Sequence, residues 1–116
     1  MRRYTAVSKN KVIEISIQKL QGNAVTGMIY LKKENTTYQM KGVWSDDRGL
    51  QLSLMDDYGN TVGKLNAPEP SMQGFKGFLT IGNRKITPYD FMLSAKLNAG
   101  CLEFGDYYSA YDIIFP

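Results

Sequence analysis

The sequence predicts an all-β fold, an antiparallel meander of eight to nine strands curled or closed into a small up-and-down barrel. Three observations carry that prediction. Apolar and polar residues alternate over short runs such as Ile13-Glu14-Ile15-Ser16-Ile17, and a period of two is that of a half-buried strand. Glycine-containing turns separate the runs, and no stretch of about ten residues or more holds a helical period. Short connections make sequential strands neighbours, and full closure removes the exposed edges that a meander would otherwise leave.

Residues 1–10 are polar and read as an added edge strand or a loose tail. From Lys11 the alternation becomes regular. Gly22-Asn23 suits a two-residue primed turn into a strand over 25–33, and Glu34-Asn35 suits the next reversal into 36–44. In that strand Tyr38, Met40, Gly42 and Trp44 share one face, which is expected to point into the core and to be continued by Leu50, Leu52 and Leu54. Each fully buried large side chain contributes about 1.5–3 kcal/mol, so this set is expected to dominate stability. Gly42 and Gly63 interrupt strands, where glycine marks a bulge or a close backbone approach.

Two ten-residue units, 45–54 and 55–64, each place Asp-Asp-x-Gly before a strand. Aspartate accepts hydrogen bonds from its own turn and glycine takes the left-handed conformation, so both units read as hairpin turns. Calcium ligation would need alternating oxygen ligands and a later bidentate glutamate, which neither unit supplies. The prolines at 68 and 70 make residues 67–73 the longest break. A hairpin around Gly82-Asn83 then joins strands over 75–81 and 84–93, with Pro88 implying a bulge or an edge; residues 92–97 have a helical turn as their alternative. Two further strands are expected over 101–104 and 107–115.

At 116 residues the chain is a single domain, 1–116, able to bury roughly two thirds of its unfolded surface without metal or disulfide support. The net charge of +3 is unevenly spread. Residues 1–33 set Arg2, Arg3, Lys9, Lys11, Lys19, Lys32 and Lys33 against Glu14 alone, whereas 97–116 hold Glu103, Asp106 and Asp112 with no base. There is no histidine and one cysteine, Cys101. This excludes Cys–His and Ser–His catalytic pairs, any histidine metal site and an internal disulfide. No cofactor or metal is implied, and no stretch approaches the ~20 apolar residues of a membrane-spanning helix.

The series Gly27-x-x-Tyr30, Tyr38-x-x-x-Gly42, Leu50-x-Leu52-x-Leu54, Asp57-x-Gly59 and Gly63 resembles small uncharacterised β-meander domains of exported bacterial proteins, over roughly residues 25–82. The resemblance implies a non-catalytic binding domain preceded by an export or lipoprotein leader. Ser8, Lys9, Asn10, Lys11 and Glu14 break any apolar leader segment here. A complete chain would therefore be cytoplasmic, and one whose leader has been removed would be periplasmic or secreted. The resemblance carries over no functional residue.

Three binding functions follow. The leading one is a non-enzymatic, protein-binding module with an interaction or inhibitor role. It would use Tyr107, Tyr108 and Tyr111, flanked by Asp106 and Asp112, together with Pro68, Pro70 and Met72 of the loop. Tyrosine gives large contact area at low entropy cost, which suits it to protein-binding surfaces. An apolar-ligand carrier would use the barrel interior. Single-strand nucleic-acid binding would use Arg2, Arg3, Lys9 and Lys11 of the basic N-terminal third.

Overall fold

The computed structural model describes residues 2–94. Eight strands follow one another, β1 (Arg2–Ser8), β2 (Lys11–Lys19), β3 (Ala24–Leu31), β4 (Thr36–Ser45), β5 (Gly49–Met55), β6 (Thr61–Ala67), β7 (Gly74–Ile81) and β8 (Thr87–Leu93). Every neighbour in sequence is an antiparallel neighbour in space, and β1 returns to β8 to close the barrel. The N-terminal segment is thus a full barrel strand, paired with β2 from Arg2↔Ile17 to Ser8↔Lys11. Its turn, Lys9-Asn10, went unmarked in the sequence because Lys9, with φ 56°, takes the left-handed position that glycine or asparagine would advertise.

The alternation seen in sequence becomes an inside and an outside. Tyr4, Ile13, Ile15, Ile17, Val25, Ile29, Met40, Leu50, Leu52, Leu54, Leu65, Phe75, Leu79 and Phe91 are among the buried core, and no polar or charged side chain is buried among the described residues. Lys41, Lys64, Lys76 and Asp90 alternate with buried positions and stand exposed on the outer wall. That polarity is the reverse of a transmembrane barrel, whose apolar face is outward. No helix among the described residues is long and apolar enough to cross a membrane.

Tyr38 and Trp44, expected in the core, are half-buried and pack against it from the two ends of β4. Gly42 and Gly63 are both close-approach positions. A side-chain carbon on Gly42 would run into the Gln51 carbonyl, and one on Gly63 into that of Thr80. Gly63 also sits opposite Leu54, where the β5–β6 register shifts at a bulge. Gly77 leaves room for the Phe91 ring, because its missing Cβ would lie 2.9 Å from Phe91 Cε2.

Two local readings change and one alternative falls away. The β2–β3 reversal is a four-residue loop over 20–23, closed by Leu20 N donating to the Ala24 carbonyl, and only Gly22, not Asn23, takes positive φ. Met92 and Leu93 belong to β8 rather than to a helical turn, held by the Leu93 N–H on the Gln73 carbonyl. The Asp-Asp-x-Gly units differ from each other. Gly49 and Gly59 both take positive φ, at 75° and 84°. Asp56 caps its turn by accepting from the N–H groups of Tyr58 and Asn60, each at 2.9 Å. In the first turn that acceptor is Ser45 Oγ, bonded by the Arg48 N–H, and not Asp46 or Asp47. The strands expected over 101–104 and 107–115 lie outside the described residues.

Candidate functional site

A meander sends alternate turns to opposite ends of the barrel, and this parity decides which candidate residues can meet. One end, here the loop end, gathers the start of β1 at Arg2, the turns at 20–23 and 46–48, the loop at 68–73, and Ser94 beyond β8. The other, the lysine end, gathers the turns at 9–10, 32–35, 56–60 and 82–86.

At the loop end, residues 68–73 are built around Ser71. Its hydroxyl donates to the Gly74 carbonyl at 2.6 Å and accepts from the N–H groups of Gln73 and Gly74. The Ser71 carbonyl in turn accepts from the Tyr4 hydroxyl at 3.4 Å, tying the β6–β7 loop to β1. Tyr4 is fully buried and packs at a tilt against Phe75 at 4.9 Å between ring centroids, which meets Phe91 at 5.5 Å, so the loop rests on the aromatic part of the core. Burial pushes the Tyr4 hydroxyl pKa up, an effect that the Arg2 charge partly offsets. Around the rim, Leu20, Met72 and Leu93 are 49%, 50% and 42% exposed. The Lys19 ammonium lies 5.6 Å from the Trp44 ring centroid, within cation–π range.

The loop also lies against the end of the last described strand. Leu93 N–H bonds to Gln73, Ser94 N–H bonds to the Arg3 carbonyl, and the Thr5 and Ser94 hydroxyls are 2.7 Å apart. Of the sequence-predicted protein-binding residues, Pro68 and Met72 are exposed and Pro70 is half-buried in this loop. Tyr107, Tyr108 and Tyr111 lie outside the described residues, as does Cys101. Ser94, from which the chain continues toward them, stands beside the loop.

The basic candidates are divided between the ends. Arg2 and Arg3 stand at the loop end, whereas Lys9 and Lys11 stand at the lysine end, with the length of β1 between them. Lys9 and Lys11 are instead joined by Lys32, Lys33, Arg84 and Lys85, from turns distant in sequence but on the same side of the barrel. Arg84 pairs with Glu34 at 3.3 Å, linking the β7–β8 turn to the β3–β4 turn over the mouth. A cavity of about 30 Å³ lies beside this pair, lined by Lys11, Leu31, Lys33, Ile81 and Tyr89 among others, which is room for roughly one water. Burial raises the Tyr89 hydroxyl pKa, reinforced by Glu34 and opposed by Arg84.

Sequence reasoning missed Leu20 and Leu93 at the loop end and did not group Arg84 and Lys85 with Lys9 and Lys11 at the lysine end. The signal that finds them is the parity of the turns, once β1 is counted as a strand. Among the described residues, no group of three or more acidic, cysteine or histidine side chains could hold a metal ion.

Fold and surface together define a closed, eight-stranded up-and-down barrel with a packed apolar interior, a polar outer wall and two unlike ends. Comparison with protein-family models, curated proteins and solved structures finds no match.

Proposed function

We propose that the chain is a non-enzymatic module that binds another protein through the loop end. The observation that carries this reading is the convergence of the 68–73 loop, the exposed Leu20, Met72 and Leu93, and the point from which the chain continues toward Tyr107, Tyr108 and Tyr111. Leu20, Met72 and Leu93, far apart in sequence, are thereby offered to one partner. An anchored loop with exposed apolar side chains has the methionine content of interface centres, and the tyrosine-rich segment would add the aromatic content. The absence of histidine removes the commonest general base and supports a binding role over a catalytic one.

The carrier alternative draws no support from an interior filled by Leu52, Leu54, Leu65, Phe75 and Phe91. The grouping of Arg2, Arg3, Lys9 and Lys11 as one nucleic-acid surface draws none from their division between the two ends.

The test is capture of partners from the native cell by the full chain and by two folded variants. The Tyr107, Tyr108, Tyr111→Ala variant and the Leu20→Ser, Met72→Ser variant are each expected to lose the same partners. Partners retained by both variants would show the site to be elsewhere.

A further inference from the structure

The charge of the described barrel is concentrated at the end that the proposed protein interaction leaves free. Lys9 and Lys11 flank the β1–β2 turn, Lys32 and Lys33 open the β3–β4 turn, and Arg84 and Lys85 lie in the β7–β8 turn, all exposed. The acidic groups facing them are few and largely committed. Glu34 is paired with Arg84. Asp56 is turned into its own β5–β6 loop, where the N–H of Asn60 and then that of Tyr58 hold its carboxyl below the usual range. Asp57 stands exposed in that same loop. Lys32 acts electrostatically on Glu14, on the outer wall of β2.

Apolar side chains project from the same end. Ile86, in the β7–β8 turn, is 65% exposed, and Val7, one residue before the end of β1, is 68% exposed. An exposed aliphatic residue among lysines on tight turns gains nothing from the barrel's own packing. It matches the interfacial zone of a bilayer, where basic groups meet anionic headgroups and an apolar tip enters the acyl boundary.

We propose that the lysine end docks on an anionic lipid surface, with Lys9, Lys11, Lys33 and Lys85 facing the headgroups and Ile86 inserted among them. A nucleic-acid strand fits this end less well, since single-strand binders offer aromatic platforms in a groove. The exposed aromatic of this end, Tyr58 at 89%, sits between Asp57 and Gly59 in the acidic turn. The cavity at the mouth, about 30 Å³, is too small for a base. Docked this way, the protein presents its loop end away from the membrane.

Flotation of the full chain with vesicles tests the proposal, comparing equal parts phosphatidylglycerol and phosphatidylcholine with phosphatidylcholine alone. Binding is expected only to the anionic vesicles, weakening steeply as salt rises from about 0.05 M to about 0.5 M, where the Debye length is only a few Å. The Lys9, Lys11, Lys33, Lys85→Gln variant should lose affinity on the order of 1,000-fold at low salt. The charge-matched loop-end variant, Arg2, Arg3, Lys19, Arg48→Gln, should lose far less. Ile86→Ser should weaken binding at unchanged charge, and near-ultraviolet circular dichroism confirms that each variant is folded. No flotation at low salt, or equal losses in both charge variants, would overturn the proposal. So would tighter binding to a single-stranded oligonucleotide that is indifferent to Ile86→Ser.

Discussion

The two ends of this barrel are made by the same rule, alternate turns of one meander, and yet they differ in how they are closed. Among the described residues, the lysine end is crossed by one exposed ion pair, Arg84 with Glu34, and its turns leave basic side chains radiating outward. The loop end is covered by residues 68–73, which Ser71 folds into shape and the Tyr4 hydroxyl fastens to β1. The contrast teaches that anchoring, more than length, sets what an end can do. A turn that stays on its own hairpin displays its side chains, and a loop tied to another strand can return over the mouth and build a surface.

The largest effect should come where the ends share support. Phe91 contacts Phe75, beneath the loop, and Tyr89, beside the lysine-end cavity, at 5.5 and 6.3 Å between ring centroids. Phe91→Ala is expected to cost about 3–5 kcal/mol in denaturant unfolding. It should also speed amide exchange at both ends; an effect confined to one end would mean that the ends are supported separately. Next comes Ser71→Ala, which removes three hydrogen bonds from the loop end at a cost of about 1–2 kcal/mol. Exchange of the Gln73 and Gly74 amides should rise while the Asn60 amide, at the other end, is unchanged.

Alkaline pH separates the ends through their buried tyrosines. Burial raises both the Tyr4 and the Tyr89 pKa above the ordinary 10.0. A raised folded-state pKa means that the contribution is fully present below that ordinary value and is lost as pH rises through the folded one. Tyr4→Phe should therefore flatten part of the alkaline limb of a stability–pH curve, and Tyr89→Phe another part. Identical curves for both variants and the parent would refute this.

Acid acts on the lysine end through Asp56. Its lowered pKa gives a contribution that is present above the ordinary carboxylate value of 3.8 and lost as pH falls through the folded one. Asp56→Ala should accordingly remove part of the acid limb. The smallest effect is expected from the Arg84–Glu34 pair, whose side chains are 65% and 39% exposed. A double-mutant cycle should give about 0.2–1 kcal/mol, decreasing with salt.

Much of the architecture was legible because it depends on local pattern. Ile13, Ile15 and Ile17 alternate with polar neighbours and are buried, and Gly42 and Gly63 stand where a side chain would strike the next strand. β1 was harder to read, since its inward residues are only Tyr4 and Ala6 and its turn is marked by Lys9 rather than glycine. Its status depends on pairing with β8 at the far end of the described chain, which no local window contains.

The candidate site shows the same division. Pro68 and Pro70 announce a loop, but nothing local says that Leu20 and Leu93 share its end. Arg2 and Lys9 look like one basic segment, yet a single strand carries them to opposite ends. Conversely, Lys33 and Lys85 look unrelated and are brought to the same end by the count of strands between them.

Among the described residues, the seam between β1 and β8 closes the ring with two register pairs, Tyr4↔Leu93 and Thr5↔Met92, where other seams have four to eight. The Thr5–Ser94 hydroxyl contact across it joins residues 89 apart in sequence, so forming it requires closing nearly the longest loop the described chain allows. Hairpins along the meander close short loops and form early, whereas this seam must wait for all of them. The barrel is thus expected to zip from hairpin to hairpin and to lock last at β1–β8. When it breathes, the same line should part first, briefly turning a closed ring into a sheet with two exposed edges.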